Sequence, residues 1–101
     1  VEKVLRKGHL GVIENYVGHG IGKSMHEAPE VPNYGKKGQG YELKEGDTIC
    51  IEPMSCLGKP ANYVDKDDNW TAKMKDGSIA CHCEHTVLVT KDGYEILTLP
   101  E

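Results

Sequence analysis

Three side chains able to hold a cation stand out in this 101-residue chain, each an unusual guest where it sits. His19 lies in the run Gly18-His19-Gly20-Ile21-Gly22, which leads on to His26-Glu27. Glu52 interrupts Thr48-Ile49-Cys50-Ile51-Glu52-Pro53-Met54, and Glu84 interrupts Cys81-His82-Cys83-Glu84-His85-Thr86-Val87. An ionised carboxylate among apolar strand residues is costly unless it is paired, hydrogen-bonded or bound to metal. Two such carboxylates and an imidazole describe a hard-to-borderline divalent cation held by oxygen and nitrogen. Taken singly, each residue has a duller explanation. A lone Glu on the solvated face of a strand is ordinary, and a loop histidine commonly makes a structural hydrogen bond. The three together, both Glu in matching strand-end contexts, favour a site.

Two competing motifs fail on geometry. Gly22-Lys23-Ser24 resembles the end of a phosphate loop, but the Gly required five positions earlier is Val17, and Pro29 follows too soon for the helix such a loop opens. His82-Cys83-Glu84-His85 resembles a compressed zinc-protease motif. That motif needs two histidines one helical turn apart, whereas this segment is β-branched and its side chains alternate. Alternation places His82, Glu84 and Thr86 on one face and Cys83, His85 and Val87 on the other. The same rule groups Glu52 with Cys50 and Thr48 and sends Ile49 and Ile51 toward a core.

The elements that must position these residues read as antiparallel β with one helix. Val1, Val4 and Leu5 repeat with helical spacing, and Gly8 closes the helix. A strand is expected over 11–17, then the Gly18–Gly22 loop, then a long surface loop over 27–40 broken by Gly and Pro. A β-run covers 47–54, and 58–68 is a polar loop or loose hairpin arm. Strands are expected over 70–74 and 78–89, and a hairpin turns at Lys91-Asp92-Gly93. The pattern is α+β within a single domain, residues 1–101.

Four cysteines admit reduced core thiols, a metal site or disulfides. Their spacings, C-x5-C and C-x-C, lack the C-x-x-C knuckle of structural zinc sites. Apolar strand surroundings favour reduced thiols acting as small hydrophobes. The hydrophobic fraction is 38%, with no Phe and one Trp, low for a self-sufficient core of this size. Net charge of −4 argues against nucleic acid and anionic membrane surfaces as partners. No apolar run approaches the length of a membrane span, and the first residues have no signal-peptide h-region. A cytoplasmic location is expected. The chain opens on Val1, as a fragment or processed product would.

The order and spacing of Gly18-His19-Gly20-Ile21-Gly22, His26-Glu27-x-Pro29, Ile51-Glu52-Pro53-Met54, Trp70-Thr71 and Glu84-His85-Thr86 resemble type I methionine aminopeptidases over almost the whole chain. These are metallopeptidases of the pita-bread, or creatinase/aminopeptidase-like, fold. The resemblance implies the C-terminal half of that fold, a curved antiparallel sheet with a helix, its N-terminal half lying upstream of residue 1. It also implies removal of the initiator methionine from nascent proteins by water activated between two divalent ions, Co, Mn, Fe or Zn. His19, Glu52 and Glu84 match the family's metal ligands, and Glu52 also its proton shuttle. His26 matches a histidine that contacts the substrate. Met25 and Trp70 match positions lining the methionine pocket, where the family usually has an aromatic in place of Met25. Two Asp ligands belong to the absent half, so this chain alone is expected to hold at most one ion weakly and to be nearly inactive. The implied partners are a peptide or nascent-chain N-terminus, and either a second copy of the chain or the complementary half. An aminopeptidase P or prolidase-type relative, and a non-catalytic module that keeps the half-fold as a binding surface, are the competing readings.

Overall fold

The computed structural model describes residues 1–100. The described residues form one helix, α1 (Glu2–Lys7), and ten short strands: β1 (Gly11–Val12), β2 (Gly18–Gly20), β3 (Glu27–Val31), β4 (Thr48–Ile51), β5 (Met54–Cys56), β6 (Asn62–Val64), β7 (Ala72–Met74), β8 (Ala80–His82), β9 (His85–Thr90) and β10 (Gly93–Ile96). All pairs are antiparallel. They build a five-stranded sheet ordered β10-β9-β4-β2-β3, a three-stranded sheet β1-β5-β8, and a β6–β7 ribbon. The α+β expectation holds.

Helix α1 carries Glu2 in its first turn and Arg6 and Lys7 in its last, as the helix dipole favours. Gly8 caps it with φ −84°, while the left-handed residue is His9, φ 60°. The strand expected over 11–17 is shorter, and the Gly-rich run expected as a loop supplies β2 instead. The segment expected as a surface loop contains β3, and its proline is tolerated because β3 is the edge of the five-stranded sheet.

The largest departure from the sequence expectation shapes the site. The two runs expected to be continuous, 47–54 and 78–89, each break and pass from one sheet to the other. β4 pairs with β9 in the five-stranded sheet, and their neighbours β5 and β8 pair in the three-stranded one. The breaks fall at Glu52-Pro53 and at Cys83-Glu84. Pro53 has no N–H to give a ladder. One bond crosses the gap, from the Cys83 N–H to the Pro53 carbonyl at 3.2 Å. Both carboxylates thus occur where two sheets part.

The closed core is small: Ile13, Cys56 and Met74, with Tyr16 and Met54 against them. Ile49 and Ile51 do not join it. With Val87 and Val89 they line an open apolar groove of about 510 Å³ on the far face of the five-stranded sheet, flanked by Tyr94 and Ile96.

Gly18 is required by the close approach of β2 to β4, since an added Cβ would press into the Cys50 carbonyl oxygen. Gly18→Ala should lower stability by about 1–3 kcal/mol, read as a lower denaturant midpoint at unchanged slope. Gly93→Ala is the control, because nothing lies within 4 Å of a Cβ there. Equal midpoints for the two variants would show that β2 does not need its glycine.

Candidate metal centre

The site is assembled by register. His19 on β2 sits directly opposite Cys50 on β4, and Cys50 sits opposite Thr86 on β9. Glu52 lies two residues beyond Cys50 and Glu84 two before Thr86, so alternation turns all of them to one face. The outcome is convergence: one donor atom each from His19, Cys50, Glu52 and Glu84 lies within 4.8 Å of the others.

The histidine is already oriented as a ligand. Its Nδ1 is 2.8 Å from the Gly20 carbonyl. A carbonyl only accepts, so Nδ1 carries a hydrogen and Nε2 is the nitrogen turned toward the cluster. This is the backbone-anchored tautomer typical of metal-bound histidine. Nε2 lies 2.9 Å from Glu52 Oε2. That oxygen is buried, with the Glu84 carboxylate also close by. At that distance either a proton shared by the imidazole and the carboxylate or a divalent cation can lie between them. Ligand distances of about 2.1 Å and a right angle at the ion put adjacent donors roughly 3 Å apart. The residues therefore fit a divalent metal.

The electrostatics agree. Burial, followed by the nearby Glu84 charge, raises the Glu52 carboxyl above its ordinary range, against the pull of His19. Burial likewise raises the Cys50 thiol. His82 approaches from the end of β8, its Nε2 3.7 Å from Glu52 Oε1.

His26 stands beside the cluster, its ring centroid 4.3 Å from that of His19 with the planes tilted by 55°. It closes an irregular bend, 22–26, which Glu27 braces by accepting the Ser24 N–H at 3.0 Å. Met25 on the same bend is 72% exposed. Trp70 is 86% exposed, in the turn between β6 and β7. Asp68 shapes that turn by accepting the Thr71 hydroxyl and the backbone N–H groups of Thr71 and Trp70, which lower its carboxyl to about 2. The structure thus brings His19, Glu52 and Glu84 together with His26 alongside, and leaves Met25 and Trp70 facing solvent. Sequence reasoning passed over Cys50 and His82 as site members. Their signal was the two-residue spacing from Glu52 and Glu84.

The model of metallopeptidase family M24 matches residues 1–91. A methionine aminopeptidase of Clostridium acetobutylicum is 52% identical over 101 residues, covering all of this chain and 40% of the relative. The crystal structure of methionine aminopeptidase from Thermotoga maritima superposes with a TM-score of 0.93 at 44% identity, over 99% of this chain and 40% of that one. The enzyme from Rickettsia prowazekii gives 0.92 at 42% identity, over 97% and 40%. The chain spans about 40% of the length of these relatives.

Proposed function

The chain belongs to metallopeptidase family M24 and has its pita-bread architecture, and we propose that it is the part of a methionine aminopeptidase that carries one imidazole and two carboxylate ligands of the metal centre. The observation that carries this is the convergence of the His19 imidazole with the Glu52 and Glu84 carboxylates, their donor atoms within 4.8 Å of one another. A protein that contains this chain and is built like those relatives would remove the N-terminal methionine from nascent proteins. Further ligands would come from outside these residues.

His19, Glu52 and Glu84 would hold the metal. Mixed oxygen and nitrogen ligation is compatible with Co, Mn, Fe or Zn. A bound divalent ion lowers the pKa of water and polarises a carbonyl. Glu52, its charged form penalised by burial and by Glu84, is suited to accept a proton and pass it to the departing amine. His26, exposed on its braced bend, would donate to the substrate peptide. Met25 and Trp70 would meet the methionine side chain. A cytoplasmic location accords with that substrate, and no helix among the described residues is long and apolar enough to cross a membrane. The open groove along Ile49, Ile51 and Val87 would be covered by the complementary part of the protein or by a second copy.

Calorimetric titration with Mn²⁺ tests the ligand set. The chain should bind about one equivalent, and His19→Ala and Glu84→Gln should each weaken binding at least tenfold, on the order seen for metal-site substitutions. His26→Ala should leave the affinity nearly unchanged. Equal binding by the His19 and Glu84 variants would remove the site from these residues.

A further inference from the structure

We propose that Cys50 is a fourth protein ligand, bound as thiolate, and that His19, Cys50, Glu52 and Glu84 form a single-ion site which this chain builds by itself and which favours thiophilic ions. The inference rests on the metal-binding reading of His19, Glu52 and Glu84 and adds a sulfur donor to it.

Position carries the case. Cys50 is 1% exposed and occupies the middle strand of the row His19–Cys50–Thr86. Its Sγ is within 4.8 Å of the imidazole nitrogen and both carboxylates. Its contact with the Thr86 hydroxyl is long, 3.6 Å, and leaves sulfur lone pairs available. A cysteine serving only as a small hydrophobe would be expected on the opposite face, with Ile49 and Ile51 in the apolar groove. It points instead to the face that holds every charged donor of the cluster.

The donor set has chemical consequences. One nitrogen, one sulfur and two carboxylate oxygens make a tetrahedral set of the kind zinc adopts. Adding a thiolate to an otherwise hard site shifts preference toward Zn²⁺, Cd²⁺ and Co²⁺ and away from Mn²⁺. On binding, the S–H bond breaks, its electron pair goes to the ion and its proton to solvent, with no change of oxidation state. Four protein ligands fill a tetrahedral shell, so a water that is to be activated would enter as a fifth ligand, an expansion zinc allows.

Cobalt separates the possibilities. The full chain should be prepared with Cys81→Ser and Cys83→Ser, because those two thiols are exposed and would bind metal on their own. Titration with Co²⁺ should then produce visible d–d bands, which report a bound ion, together with a near-ultraviolet sulfur-to-cobalt charge-transfer band. Cys50→Ser should abolish the charge-transfer band and weaken Co²⁺ binding at least tenfold, on the order of other metal-site losses. X-ray absorption of the Zn²⁺ form should show one sulfur at about 2.3 Å. Cys50→Thr, which suits a β-strand, gives a second variant should the serine form fold poorly. Visible bands with no charge transfer and no sulfur scatterer would overturn the role of Cys50 and leave the His19, Glu52 and Glu84 reading standing. A charge-transfer band that survives in Cys50→Ser would also overturn it. No cobalt bands at any concentration would overturn both.

Discussion

Hydrolysis of a methionyl peptide by the 101-residue chain alone should fall at least about a thousandfold below that of a full-length methionine aminopeptidase. Lewis-acid stabilisation by metal supplies several kcal/mol of the barrier reduction, and each 1.36 kcal/mol is a factor of ten in rate. The chain offers His19, Glu52 and Glu84, with Cys50 closing around the same point, a set able to bind an ion but not to assemble two. Adding the remaining portion of a close relative, such as the Clostridium acetobutylicum protein that matches the whole chain, should restore turnover if the two pieces associate across the apolar groove. Within the reconstituted complex, Glu84→Gln and His26→Ala should each remove most of the rate. The measurement is release of free methionine with and without chelator. Strong, chelator-sensitive turnover by the isolated chain would overturn this reading of the site.

Thermal stability should change almost as sharply. A ligand that binds only the folded state at a hundred times its Kd stabilises by about 2.7 kcal/mol. For a chain near 100 residues this is a rise in Tm on the order of 10–20 °C. Glu52→Gln should abolish the rise, and its effect without metal should have the opposite sign. The folded-state pKa of Glu52 is raised, chiefly by burial and then by Glu84. A raised carboxyl favours folding below the unfolded pKa of about 4.3, and that benefit is lost as pH climbs through the folded value. Metal-free Glu52→Gln should therefore melt above the metal-free native sequence at neutral pH, with the gap closing below about pH 4. With Mn²⁺ or Co²⁺ present the order should reverse. A Glu52→Gln chain that melts lower under both conditions would indicate that Glu52 is an ordinary structural residue.

Chemistry was more legible in the sequence than secondary structure. An acid among β-branched residues is conspicuous whether or not its strand is continuous, so Glu52 and Glu84 could be found while the breaks beside them could not. Those breaks depend on pairing with a second sheet, which local pattern does not encode, although Pro53 marks one of them. Gly18 and Gly20 resembled loop residues because glycine usually marks turns. Here they permit two backbones to approach, a tertiary cause invisible to propensity. β3 was hidden by Pro29, tolerable only because that strand lies at an edge. Cys50 was visible as a same-face neighbour of Glu52, yet its place beside the imidazole emerged only when register set it across from His19. Ile49 and Ile51 were correctly placed on the face opposite Glu52. That this face forms an open groove could not be foreseen without the rest of the sheet.

The alignment of His19, Cys50 and Thr86 across three adjacent strands makes the backbone a ruler. Opposed Cβ atoms in antiparallel strands stand about 5 Å apart whatever side chains they bear. The spacing of donors is therefore owned by the hydrogen-bond ladder, and their chemical hardness by whichever residue occupies each rung. A lineage could exchange sulfur for a hydroxyl or carboxylate at the central rung and move from one element to another in a single codon change, without renegotiating the fold. Metal identity would then be among the quickest traits of such a protein to drift with the ions its surroundings supply, and the architecture that displays those ions among the slowest.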